Sequence, residues 1–300
     1  MTMPALRYRR APAPSPAILA LVDCAPAGAY NLTDVGDKTY FLVYGGAAVF
    51  CFDGTALITL PGAPVGITSL VAVGSDLYLT AESDRHPGLT SIYRYRTDRF
   101  TFIATTEASQ LLLTSFGGRA YFRLKSGLWY INERRLVAVS GSPEDILALT
   151  VFRETLYVVH HDSEMYAIST YDGSGFTRLE SVPAEGPFGF AALDQGLYIR
   201  THRHVYVWHE STFRVVATAR FTALVACDGV LYAKAFGTNK LGVLGHDGFV
   251  ELADVASAHG EIHVSRGALY FLDRAGALCT YRRAASPVHA LLALAGVLEG

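Results

Sequence analysis

Apolar segments broken by Gly- and Asp-bearing turns follow one another in a fixed order along this chain. The first member of each group is apolar, as in Ile67 to Val73, Ile146 to Val151 and Phe221 to Cys227. A tight break follows: Gly74-Ser75-Asp76, Gly117-Gly118, Asp194-Gln195-Gly196 or Asp228-Gly229. Glycine and aspartate supply the positive φ that short hairpin turns require. The second member carries a tyrosine and is apolar on both faces, as in Tyr40-Phe41-Leu42-Val43 and Leu156-Tyr157-Val158-Val159. A third sets an apolar residue before an aromatic: Val49-Phe50, Ile92-Tyr93, Leu128-Trp129, Met165-Tyr166, Val205-Tyr206. After a second turn (Asp53-Gly54, Thr97-Asp98, Asp172-Gly173, Asp247-Gly248) a fourth opens on Phe100, Phe176, Phe213 or Phe249. The pattern predicts groups of four short strands.

The tyrosines of the second strands set the period. Tyr40, Tyr78, Tyr121, Tyr157, Tyr198, Tyr232 and Tyr270 are spaced by 38, 43, 36, 41, 34 and 38 residues. That interval fits one four-stranded blade, for which about 40–45 residues is typical of WD40 repeats. Strands apolar on both faces suit blades stacked face to face, whereas a sheet with one wet face alternates. A two-sheet sandwich does not predict this period. The fold class is therefore all-β: a seven-bladed β-propeller of four-stranded antiparallel blades, one domain over residues 1–300. Tyr8-Arg9-Arg10-Ala11, with Pro16 and Ile18 to Val22 after it, echoes Tyr281-Arg282-Arg283-Ala284, with Pro287 and Leu291 to Leu294 after it. Residues 16–23 are expected to supply the outer strand of the last blade and close the ring. Residues 1–15 read as irregular, and 288–300 as a short helix or an extra edge strand.

These units resemble the β-propeller superfamily. Leu231-Tyr232-Ala233 and Cys51-Phe52-Asp53-Gly54-Thr55 are most similar to the Leu-Tyr and Asp-Gly-Thr repeats of PQQ-like and TolB-like propellers. The Trp-Asp dipeptide of WD40 repeats is absent, and so is a Kelch-style repeated glycine pair. The resemblance implies the fold and carries no catalytic residue across.

Hydrophobic residues make up 51% of the chain and charged residues 17%, with a net charge of −2. Binding of nucleic acid independent of sequence needs many phosphate-neutralising cations, and no basic run extends beyond Arg7 to Arg10, so nucleic acid is not an expected partner. No apolar run approaches the roughly 18 residues of a membrane span. Ile18 to Val22 is short for a signal peptide, and Asp23 sits where a lipoprotein site before Cys24 needs a small residue. Neither Cys24, Cys51, Cys227 nor Cys279 belongs to a C-x-x-C pair; reduced thiols in a cytoplasmic protein are expected.

In a propeller, the loops between second and third strands share one face with the inter-blade connections, and that is the usual binding face. Sorting the chain by this rule collects the histidines there: Arg85 and His86, then His160 and His161 with Asp162, then His202, Arg203 and His204, then His259. These nine are the candidate binding residues. A divalent metal would suit His160, His161, His202, His204, His259 and Glu261, since imidazole and carboxylate are common zinc ligands. Polar loops that happen to contain histidine explain the same residues more simply, and no cofactor is expected. The 81–91 loop is longer than its siblings, as loops with binding roles often are. The recurrent aromatics read as blade-to-blade packing. Neither a G-x-S-x-G elbow nor a phosphate-binding G-x-x-x-x-G-K loop occurs.

The expectation is a non-catalytic binding module or interaction scaffold that takes a protein, small molecule or carbohydrate on the loop-rich face. A metal-assisted hydrolase or lyase, and a structural subunit of a larger assembly, stay open as alternatives.

Overall fold

A computed structural model describes residues 18–21, 28–43, 48–53, 55–84, 86–107, 113–124, 126–162, 165–182, 189–209, 212–238, 240–245, 248–254, 262–265, 267–272 and 278–282. The expectations for residues 1–15 and 288–300 lie outside them. Strand β1 (Ile18–Leu21) comes first, and six blades of four strands follow in chain order. Blade 1 holds β2 (Ala29–Val35), β3 (Lys38–Val43), β4 (Val49–Phe52) and β5 (Leu57–Thr59). Blade 2 holds β6 (Ile67–Val73), β7 (Asp76–Glu82), β8 (Thr90–Arg96) and β9 (Arg99–Thr106). Blade 3 holds β10 (Leu113–Phe116), β11 (Arg119–Leu124), β12 (Gly127–Asn132) and β13 (Arg135–Ala138). Blade 4 holds β14 (Ile146–Phe152), β15 (Thr155–Asp162), β16 (Met165–Tyr171) and β17 (Phe176–Val182). Blade 5 holds β18 (Gly189–Leu193), β19 (Gly196–Arg200), β20 (His204–His209) and β21 (Thr212–Thr218). Blade 6 holds β22 (Phe221–Cys227), β23 (Val230–Ala235), β24 (Lys240–Gly245) and β25 (Gly248–Asp254).

Blade 7 is completed from both ends of the chain. Strands β26 (His263–Ser265), β27 (Ala268–Leu272) and β28 (Leu278–Arg282) are joined at the outer edge by β1. The pairing is antiparallel, from Ile18 opposite Arg282 to Leu21 opposite Cys279, inside the window expected from the terminal echo. Each first strand lies beside the first strand of the next blade, and β26 lies beside β2, so the inner ring closes.

Every gap between adjacent blades is filled by one apolar cluster. The repeated tyrosine always faces the following blade: Tyr40 packs with blade 2 residues, Tyr78 with blade 3, Tyr121 with blade 4, Tyr198 with blade 6 and Tyr232 with blade 7. Burying both faces of each sheet in this way is why the second strands show no polar alternation. Burial, the largest cause, pushes the Tyr121 phenol up to about 12, with Tyr171 adding to it. Polar links reinforce the gaps. In β6, β14 and β22 a bulge near the start of the strand breaks the ladder register. Nearby carbonyls are taken from the preceding blade: Ile146 O accepts from Arg123 Nη1 at 2.9 Å and Phe221 O from Arg200 Nη1 at 2.8 Å. Across the closing gap, Asp34 Oδ1 accepts from Ser265 Oγ at 2.7 Å, and it also accepts from Thr39 Oγ1 of its own blade at 2.7 Å.

Candidate functional site

The ring presents two faces. Turns between first and second strands, and between third and fourth, share what is here named the turn face; the remaining connections share the loop face. Turn-face polar groups are satisfied locally. Asp53 Oδ1 accepts from Thr55 N, Thr55 Oγ1 and Ala56 N at 2.8–2.9 Å. Asp172 Oδ1 accepts from Ser174 N, Ser174 Oγ and Gly175 N in the same manner. These bonds favour the charged form and hold both carboxyls down at about 2.

On the loop face, several sequence-derived candidates turn out to sit in strands. His160, His161 and Asp162 were expected in a loop, but β15 runs through all three. The hairpin holds its register out to Asp162 opposite Met165, the His161 ring packs at a tilt against Tyr166 with centroids 4.7 Å apart, and Arg178 pairs with Asp162. His160 is buried, 7% exposed, and both ring nitrogens are engaged. Nδ1 lies 3.1 Å from the His161 carbonyl, which only accepts, so Nδ1 carries the proton. Nε2 then accepts from Ser169 Oγ at 3.0 Å. This histidine packs a hairpin. His204 is likewise the first residue of β20, beside Tyr206.

His202 and Arg203 stand exposed at the tip of a tight turn. Thr201, fully buried, ties that turn: its N–H donates to His204 O at 2.8 Å, and His204 N donates to Thr201 Oγ1 at 3.1 Å. His86 is exposed in the 83–89 loop, which is shorter than the expected 81–91 because β7 and β8 extend into both ends. The loop is closed by Ser83 N donating to Leu89 O, with Gly88 at φ 84° allowing the reversal. Arg85, His259 and Glu261 lie outside the described residues. Among the described residues no three His, Cys, Asp or Glu side chains gather as a metal would require.

One exposed feature escaped the sequence reading. Phe236 follows β23 on the loop face and is 52% exposed. The Arg220 guanidinium lies over its ring, 4.1 Å from the centroid, and Phe236 N donates to Arg220 O at 2.9 Å. The adjacent Phe221 carbonyl is the one that Arg200 reaches from blade 5. Arg200 has room because Gly189 stands opposite it in register; a Cβ there would come within 3.1 Å of Nε. Burial lowers the Arg200 guanidinium from its usual value and does the same to the Lys234 ammonium, whose residue is 3% exposed. The signal in the sequence is positional. Four residues after the repeat tyrosine, blades 2 to 5 and blade 7 carry Glu82, Lys125, His161, His202 and Arg274, whereas blade 6 carries Phe236 and blade 1 Tyr44.

Charge divides this face. Over blades 2 to 4 the exposed ionisable residues include Glu82, Asp84, Glu107, Glu144 and Asp145; over blades 5 and 6 they include Arg203 and Arg220, with His202 beside them. At the described corner of blades 5 and 6 the exposed Phe236 ring lies under Arg220, with Arg203 exposed on blade 5, while on blade 6 Lys240 pairs with the exposed Glu251 carboxylate at 3.6 Å.

No protein-family model matches the sequence, and no curated protein matches it. Solved structures do. The extracellular domain of BT4673 from B. thetaiotaomicron superposes with a TM-score of 0.64 at 14% identity, covering 87% of this chain and 39% of that one. The β-propeller domain of the Trilobed protease from Pyrococcus furiosus gives 0.62 at 8% identity, over 85% and 93% of the two chains. BamB from Moraxella catarrhalis gives 0.55 at 10% identity, over 84% and 81%. The chain spans about two fifths of the length of the first of these. Identities this low show the fold alone, and with the closed ring described above they agree on a seven-bladed β-propeller fold.

Proposed function

We propose that this propeller is a non-catalytic protein-interaction module that receives its partner on the loop face, at the corner of blades 5 and 6. The observation that carries the reading is the Arg220–Phe236 pair. An aromatic ring held half out of the protein, with a guanidinium stacked on it, is the kind of anchor around which interface energy concentrates. The exposed Arg203 and Arg220 favour an acidic segment of the partner. A catalytic reading finds no comparable support. His160 uses both ring nitrogens in packing, and burial with the neighbouring Asp228 charge pushes the Cys227 thiol up to about 11, leaving it protonated and unreactive at neutral pH.

The test is quantitative affinity capture with the wild-type chain and with a Phe236→Ala/Arg220→Ala variant of unchanged thermal stability. Proteins held by the wild type and lost from the variant support the proposal. Equal recovery on both refutes the assignment of this corner.

A further inference from the structure

Among the described residues, one region of the turn face gathers arginines from two blades. Between blades 2 and 3 an open cleft of about 620 Å³ is lined by Arg94, Asn132, Glu133, Arg134, Arg135 and Val137. Its volume falls within the range of about 300–1,000 Å³ usual for small-ligand sites. Three of its six lining residues are arginines, and one is a carboxylate. Blade 2 contributes Arg94 from the lower end of β8, and blade 3 contributes the others from the hairpin of β12 and β13. Glu133 adopts φ 55°, which allows Asn132 to pair directly with Arg135 across a two-residue turn and brings Arg134 and Arg135 to the same opening.

The charge there is incompletely balanced. Asp76 is shared between two guanidiniums, 3.3 Å from Arg96 Nε and 3.9 Å from Arg94 Nε. Its side chain is 14% exposed, and it does not line the cleft. Guanidiniums lining a common opening repel one another, and an anion seated between them relieves that repulsion. The planar N–H forks of arginine match two oxygens at a time, which suits a tetrahedral oxyanion better than an ammonium would.

We propose that this cleft binds a phosphate or sulfate group carried by a small ligand or by a modified side chain, at a site separate from the loop face. Calorimetric titration of the full chain with inorganic pyrophosphate, at fixed ionic strength, should give saturable binding that sodium acetate does not compete for. The Arg134→Ala/Arg135→Ala variant alters only exposed residues and should weaken binding about tenfold or more, which corresponds to about 1.4 kcal/mol. Asp76→Asn, which releases Arg94 and Arg96, should tighten it. Titration with sulfate and with a phosphoserine peptide distinguishes the sources: tighter peptide binding assigns the site to a modified protein, tighter pyrophosphate binding to a free ligand. Absence of saturable binding to every oxyanion, equal competition by acetate, or an unchanged affinity in the double arginine variant would overturn the proposal.

Discussion

The two faces of the ring treat their polar groups in opposite ways. On the turn face, hairpins close within a few residues and largely satisfy themselves: Asp53 and Asp172 each gather three bonds, Tyr95 donates to Asp98 and Tyr171 to Gly173 O. On the loop face, backbone groups are tied across the links, as Phe236 N is to Arg220 O, while side chains such as His86, His202, Arg203 and Phe236 are left exposed. The same repeat thus makes one face that holds the blades in shape and another that is available to a partner. The arginine cleft departs from that local satisfaction on the turn face, and the contrast is what marks it.

Changes to the scaffold should lower stability; changes at the loop face should affect binding alone. The largest effect is expected from Phe122→Ala. This ring is fully buried between blades 2 and 3, and its truncation should cost about 3–5 kcal/mol in urea unfolding. Next comes His160→Ala, which leaves Ser169 Oγ buried without its acceptor; a loss of about 1–3 kcal/mol is expected. His202→Ala, at an exposed turn tip, should stay within about 0.5 kcal/mol. Matching losses at positions 160 and 202 would erase the distinction drawn between the two histidines.

Smaller and opposite in sign is Thr97→Asn. Thr97 is β-branched yet sits at φ 46° in the turn before Asp98. Left-handed backbone costs an ordinary L-residue about 1–2 kcal/mol, and asparagine tolerates it better, so the melting temperature should rise. The last effect concerns acid. Asp53 and Asp172 are exposed, with carboxyls at about 2 against the usual 3.8. A depressed carboxyl stabilises the fold above its unfolded value, and that contribution is lost as pH falls through the folded one. Stability should therefore drop between about pH 4 and pH 2. A double Asp→Asn variant should be less stable at neutral pH and show a flatter profile across that window, read by thermal melts at each pH.

Much of this architecture is legible in the residues. The seven tyrosines mark a packing position that recurs because each blade meets its neighbour in the same way. The closing strand is signalled by the echo between the two ends of the chain. The site is less legible, for definable reasons. Leu156 to Val159 ends its apolar run before β15 does, so a buried histidine paired with a serine on the next strand reads like a loop histidine. Phe236 looks like one more packing aromatic until its exposure in the folded ring is known. Arg94 and Arg134 are forty residues apart, and only the stacking of blades 2 and 3 makes them neighbours.

The most direct test of the loop face as the interaction surface is site-specific photo-crosslinking. A benzophenone amino acid is placed at position 236 in one sample and at position 97, on the turn face, in another. The account predicts partner adducts from position 236 and none from position 97. Adducts of the same partner from position 97, with none from 236, would contradict it.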